Sequence, residues 1–186
     1  ASSAVNALVS NLNGHSRSVL LSGQRYAHFS LPMPDLSPLD ARFLVLERLG
    51  AELSELAGDE GLLARASGRN PWFTPEFSTD ALHEWARALS AASLASWKAH
   101  WPAELGPSRR VGIVGAGNLP LVALHDLLCT YLAGHEVLFK ASSEDPVLTA
   151  AVLARLRALD SAARIDEVER LTGVDALIAT GGGQAV

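Results

Sequence analysis

The sequence contains one cysteine, Cys129, and one methionine among its 186 residues. A single cysteine excludes an internal disulfide and is typical of a reducing compartment, so the sequence predicts a cytoplasmic protein. Basic residues are also few, because 15 lysines and arginines stand against 20 aspartates and glutamates, for a net charge of −5. No dense basic run is present, and we therefore expect no nucleic-acid partner.

An uninterrupted apolar run that could cross a membrane is absent from the sequence as well. The longest apolar stretch, residues 111–134, is broken by Asn118, Pro120, His125 and Asp126. We expect a buried strand, turn and helix there, and no membrane insertion. No histidines, cysteines and aspartates stand at metal-ligand spacing, so we predict no metal site.

What the sequence does contain is typical of a globular protein, with 48% hydrophobic and 19% charged residues. Residues 1–37 form an N-terminal extension whose β-favouring runs around Gly23 favour a loose hairpin. Residues 38–105 have helical spacing of their apolar side chains, and Thr74-Pro75-Glu76 indicates a helix start. Residues 109–186 alternate apolar strands with helices.

This alternation predicts an open parallel sheet. We expect strands at 111–114, at 136–140, near Ile165 and at 175–180. The intervening helices are predicted over 119–133 and from an Asp145 cap with Pro146 to about Leu159. The predicted fold class is therefore α/β, with a Rossmann-like open parallel sheet preceded by a mainly helical segment.

Three polar or glycine-rich groups follow the predicted strands. Glycines after the first strand let the backbone approach a phosphate closely, and the lysine and serines after the second strand supply hydrogen-bond donors. The usual dinucleotide fingerprint is nevertheless incomplete, because Pro120 replaces its last glycine and Lys140 replaces its acidic residue. We predict that Gly115, Asn118, Lys140, Ser142 and Gly181 converge on one sheet edge. The predicted cofactor-binding residues are Gly115, Gly117, Lys140, Ser142, Ser143, Gly181 and Gly182.

Three of these segments resemble landmarks of the aldehyde dehydrogenase superfamily in the same order: Asn118-Leu-Pro, Lys140-Ala-Ser-Ser and Ala179-Thr-Gly-Gly. The chain is similar in particular to the acyl-CoA reductase family that includes the fatty acid reductase of bacterial bioluminescence. The likeness spans roughly residues 40–186. It extends to Asn70-Pro-Trp-Phe-Thr, His125-Asp-Leu-Leu-Cys and Asp175-Ala-Leu-Ile-Ala-Thr-Gly.

The resemblance implies reduction of an acyl-CoA or acyl-protein thioester to an aldehyde through an enzyme thioester, with NADP or NAD as cofactor. It implies that Asn118 lies in the oxyanion hole and that Lys140 contacts the adenosine ribose. The sequence leaves the oligomeric state open, with a homo-oligomer among the alternatives. The sequence departs from the superfamily at Gly182, which stands where a serine is usual.

The nucleophilic cysteine of such an enzyme is not recognisable in this chain. Cys129 lies in an apolar predicted helix, so we expect it to be buried, inert and structural. We expect His125 and Asp126, as adjacent helix residues, to be packed and to form no dyad. We therefore expect the chain alone to be inactive and the nucleophile to lie beyond Val186 in a longer protein.

Two other classes of function stay open. One is an ordinary NAD(P)-dependent dehydrogenase with a degenerate glycine motif. The other is a non-catalytic Rossmann-like domain that serves binding or assembly.

Overall fold

A computed structural model describes residues 36–102 and 104–179 of the chain. The predicted N-terminal extension with its hairpin lies outside these residues, apart from its last two positions. Gly181 and Gly182 also lie outside the described residues.

Four helices form the first part of the described chain. Each begins after a side chain that accepts a hydrogen bond from a backbone N–H of the first turn. At Thr74 the predicted helix start is confirmed, because its hydroxyl oxygen accepts the N–H of Phe77 at 3.2 Å. The helices are α1 (Pro38–Leu56), α2 (Glu60–Arg69), α3 (Pro75–Ala88) and α4 (Ala91–Lys98).

The second part of the chain forms a four-stranded parallel sheet with two further helices, which confirms the α/β class and the parallel sheet. The strands stand in the order β3-β2-β1-β4, so the chain builds outward from β1 in one direction and returns to the other side of β1. The elements are β1 (Arg110–Val114), α5 (Leu124–Leu132), β2 (Glu136–Lys140), α6 (Pro146–Leu159), β3 (Ile165–Glu167) and β4 (Ala176–Ala179).

The helical segment and the sheet share one hydrophobic core. Helix α1 packs against α3 and α6, and α5 packs against β1 and β2. Leu46, Leu82, Ile113, Leu127 and Leu153 are all fully buried in this core. Within the two described ranges, no helix has both the length and the apolar composition needed to cross a membrane.

The predicted helix over residues 119–133 is wrong at its beginning, since α5 starts only at Leu124. Leu121 has a φ of 59°, in the left-handed region, which is incompatible with a continuous right-handed helix. The N–H of Leu121 instead donates to the carboxylate of Asp145 at 2.7 Å. Asp145 occupies the predicted N-cap position before Pro146, but its side chain makes no capping hydrogen bond to α6, because its carboxylate accepts the N–H of Leu121 instead.

Candidate functional site

The turn after β1 and the turn after β2 meet at one edge of the sheet. Val114 and Lys140, the last residues of these strands, are paired in register. The N–H of Gly115 donates to the carbonyl oxygen of Lys140 at 2.9 Å and extends the contact beyond the strands. Each turn lies at the carboxyl end of its strand. Because the strands are parallel, both turns lie at the same edge of the sheet, which is the edge at which open α/β sheets bind ligands.

The first turn needs glycine because a side chain would clash with neighbouring atoms, and not because the backbone angles exclude other residues. A Cβ at Gly115 would lie 2.9 Å from the Phe139 ring. A Cβ at Gly117 would overlap the hydroxyl of Ser142 and would lie 2.8 Å from Cβ of Glu144. Neither glycine has a positive φ. The glycine predicted to admit a phosphate at position 117 is therefore in contact with the neighbouring turn of the protein itself.

The two serines of the second turn differ in their surroundings. Ser142 is half-buried, and its hydroxyl oxygen accepts the N–H of Glu144 at 3.1 Å, which stabilises the turn. Ser143 is exposed, and its hydroxyl donates to the Glu144 carboxylate at 3.5 Å. Ser143 is thus the more accessible of the two to a ligand.

Lys140 and Asn118 present their polar groups to solvent. Both residues are exposed, and neither side chain has a hydrogen bond or ion pair with any described residue. A cleft of about 420 Å³ opens beside Lys140, lined by Phe139, Lys140, Ala141, Glu167, Val168 and Glu169. An ammonium and an amide are therefore both available to a ligand at this edge.

An apolar groove lies immediately after Asn118. Its volume is about 270 Å³, and Glu84 is the one charged residue in its wall. Leu119 remains 48% exposed there and Phe77 40% exposed. The groove is lined by Phe77, Ala81, Glu84, Trp85, Leu119 and Pro120.

A further cavity, of about 570 Å³, lies near the opposite edge of the sheet. Two arginines line it, but both guanidinium groups already donate to backbone carbonyls, Arg42 to Leu132 at 3.3 Å and Arg164 to Gly134 at 3.1 Å. None of the predicted site residues lines this cavity.

Two buried polar residues hold the turns in place, and the sequence did not reveal these roles. Asn70 donates from its amide to the carbonyl oxygen of Glu144 at 3.2 Å. Asp145 accepts hydrogen bonds from Leu121 and from the hydroxyl of Thr149. Burial raises the pKa of the Asp145 carboxyl, although both donors favour its ionised form. Asn70 could have been noticed because it begins the Asn70-Pro-Trp-Phe-Thr motif. The contact between Leu121 and Asp145 joins residues 24 positions apart and leaves no local pattern in the sequence.

His125 and Cys129 lie together on the outer side of α5, contrary to prediction. His125 is exposed rather than packed, and its Nε2 is 3.7 Å from Sγ of a half-buried Cys129. Its Nδ1 is 3.4 Å from a carboxylate oxygen of Asp126, so the two residues do approach each other. The sequence did not reveal that this face of α5, with His125 and Cys129 at positions i and i+4, is covered only in part, where the ring of Trp97 makes an edge contact with the His125 ring at 6.1 Å between centroids.

We expect Cys129 to react slowly with alkylating agents in spite of its neighbour His125. Burial raises the pKa of this thiol, and the carboxylate of Asp126 raises it further, so less thiolate is present at neutral pH. The rate of iodoacetamide labelling, followed by mass spectrometry from pH 7 to 10, should reach half its maximum above the value of about 8.5 that a free cysteine shows. A midpoint below that value would mean that His125 activates the thiol.

Comparisons with protein-family models, curated proteins and solved structures found no match for this chain. The likeness to acyl-CoA reductases therefore rests on the motifs in the sequence alone.

Proposed function

We propose that this chain is the cofactor-binding part of an NAD(P)H-dependent reductase that converts a fatty acyl thioester to an aldehyde. The observation that carries this proposal is the pair of free polar groups at the carboxyl edge. Lys140 ends β2 and Asn118 follows the adjacent parallel strand β1, and neither side chain is engaged by the described protein. The strand order reverses at β1, and ligands of open α/β sheets bind at such a reversal.

Lys140 fits the adenosine side of a dinucleotide. Its ammonium can donate to ribose hydroxyls or offset a phosphate charge, and the cleft beside it has a volume within the range of small-molecule sites. The accessible hydroxyl of Ser143 lies in the same turn. The incomplete glycine fingerprint is consistent with this arrangement, because the turn after β1 packs against Ser142 instead of enclosing a phosphate.

Asn118 fits the acyl side of the reaction. An amide N–H held in place stabilises the negative charge that develops on the carbonyl oxygen when a thiolate attacks. The apolar groove that begins at Leu119 offers a surface for the hydrocarbon next to that oxygen. The nicotinamide cofactor, when bound, supplies the hydride.

We infer that the nucleophile comes from outside this chain. Cys129 lies on the outer side of α5 with a raised pKa, which disfavours thiolate formation. On β4, Leu177 is 52% exposed, and sheet strands of this apolar type are normally covered by further protein. This exposure supports the proposal that the chain works as part of a larger enzyme.

A cofactor titration tests the proposal against its main alternative. We expect NADPH or NADH to quench the tryptophan fluorescence of this chain with saturable binding. If neither binds while the chain is folded by circular dichroism, the non-catalytic assembly domain is the better description. If NADPH or NADH binds to the chain and acyl-CoA has no effect on the full-length protein, an ordinary dehydrogenase is the better description.

We expect no aldehyde when this chain alone is incubated with acyl-CoA and NADPH. The physical reason is the lack of an activated thiolate beside Asn118. Gas chromatography for aldehyde and mass spectrometry for a covalent acyl adduct make the measurement, with Cys129→Ser as the control. Turnover with acylated Cys129 that the serine variant abolishes would contradict the assignment of the nucleophile.

A further inference from the structure

The carboxyl group of Asp145 connects two parts of the chain that the proposed site needs together. The residue is 3% exposed and lies at the end of the turn after β2. One oxygen, Oδ2, accepts the N–H of Leu121 at 2.7 Å and the hydroxyl of Thr149 at 3.1 Å. The other oxygen, Oδ1, is buried without a hydrogen-bond partner among the described residues.

The residue on the other side of this contact is strained. Leu121 has a φ of 59° and is buried, and a non-glycine residue in this region persists only where the surrounding structure fixes it. Its N–H would be unsatisfied if the carboxylate were absent, because α5 begins three residues later. Asp145 therefore supplies the bond that compensates for the unusual backbone angle.

The turn that contains Asp145 is itself braced from the helical segment. Asn70 is 6% exposed, accepts the N–H of Trp72 at 3.1 Å and donates to the Glu144 carbonyl. The position of Asp145 is thus fixed by the helical segment on one side and by α6 on the other. Leu121 lies three residues after Asn118, so the same bond limits where Asn118 can be.

We propose that Asp145 is a positioning residue. It holds the turn after β1, which contains Asn118, against the turn after β2, which follows Lys140. This inference rests on the proposed function, since it gives a role to the alignment of those two turns. Asp145 is only 3% exposed, so its carboxyl group is not accessible to a cofactor or a substrate. Its effect on the turn after β1 passes through the N–H of Leu121.

Hydrogen exchange combined with a binding measurement tests the proposal. In Asp145→Ala we expect the Leu121 amide to exchange about tenfold faster, since it loses its acceptor. The Ile113 amide in β1 should exchange as in the wild type, and NADPH affinity should fall by about tenfold. Asp145→Asn keeps an oxygen acceptor, so its Leu121 exchange rate and its NADPH affinity should both be close to those of the wild type.

Thr149→Val is the matched control, because it removes a donor to the same oxygen and leaves the Leu121 bond in place. Its Leu121 exchange should stay at the wild-type rate. If the alanine variant does not fold, Asp145→Glu takes its place, because the longer side chain moves the carboxylate away from its donors, and Leu121 must exchange faster in it than in Thr149→Val.

Two results would overturn the positioning role. One is unchanged Leu121 exchange in Asp145→Ala, and the other is an equal rise at Leu121 and Ile113, which would make Asp145 a residue of general stability. If the wild-type chain binds neither NADPH nor NADH, the proposed function fails, and the exchange rates alone decide whether Asp145 holds the turn.

Discussion

Replacement of Gly117 by alanine is expected to lower the free energy of unfolding by about 1–3 kcal/mol. The added methyl group would overlap the Ser142 hydroxyl and would lie 2.7 Å from Cβ of Ser142. Gly117 is buried, so the turn after β2 must move outward to make room. We expect cofactor affinity to fall together with stability, because Lys140 immediately precedes the displaced turn. Urea denaturation and NADPH titration measure the two effects.

Gly68→Ala is the matched control for this substitution. A Cβ at Gly68 has nothing within 4 Å, and the residue lies in α2. Alanine there should raise stability by up to about 1 kcal/mol, because it favours helix over the flexible unfolded chain. If the free energy of unfolding changes by the same amount and in the same direction in both variants, the effect of Gly117→Ala comes from the reduced backbone freedom of the unfolded chain and not from crowding.

The double variant Gly117→Ala with Ser142→Gly separates crowding from other causes. Removing the serine side chain removes the closest atoms, so the double variant should be more stable than the sum of the single effects predicts. The Cβ of Glu144, at 2.8 Å, remains and limits the recovery. Strict additivity would contradict the contact between the two turns.

The elements that the sequence predicted correctly are those with a local pattern. The second strand was predicted with its observed bounds, Glu136–Lys140, and the helix after Pro146 ends at Leu159 as expected. A short strand at Ile165 is also confirmed. In each case the apolar periodicity and the boundary residues lie within a few positions of one another, so neighbouring residues determine the outcome.

The features that the sequence did not predict depend on contacts between distant residues. The late start of α5 follows from a hydrogen bond between Leu121 and Asp145, which the sequence separates by 24 residues. The packing of Ser142 against Gly117 joins two turns in the same way. His125 was expected to be packed because its neighbours are apolar, but periodicity alone does not reveal which side of a helix the rest of the chain covers.

The candidate site shows both outcomes. Parallel strands bring the turns at their carboxyl ends together whatever the side chains are, so the meeting of Gly115 with Lys140 follows from topology. The sequence could not assign Ser142 and Ser143 to different surroundings, since both are small polar residues in one turn. Their difference arises from the shape of the opposite turn at Gly117.

Lys140→Ala is expected to weaken NADPH binding by about 1.5 kcal/mol, roughly tenfold, while leaving the fold intact. The ammonium is exposed and has no partner among the described residues, so its removal breaks no bond within that part of the protein. The free energy of unfolding should therefore change by less than about 0.5 kcal/mol. Fluorescence titration and urea denaturation of the same variant give the two values.

Lys98→Ala provides the control for the loss of a positive charge from the surface. Lys98 is half-exposed and forms an ion pair with Asp40, at the end of α4 rather than at the sheet edge. Its removal should leave NADPH affinity unchanged. Lys140→Gln then distinguishes charge from hydrogen bonding, because the amide keeps a donor for ribose hydroxyls but cannot offset a phosphate. If Lys140→Ala and Lys98→Ala both bind NADPH as the wild type does, Lys140 is a solvated lysine and the cofactor does not lie in its cleft.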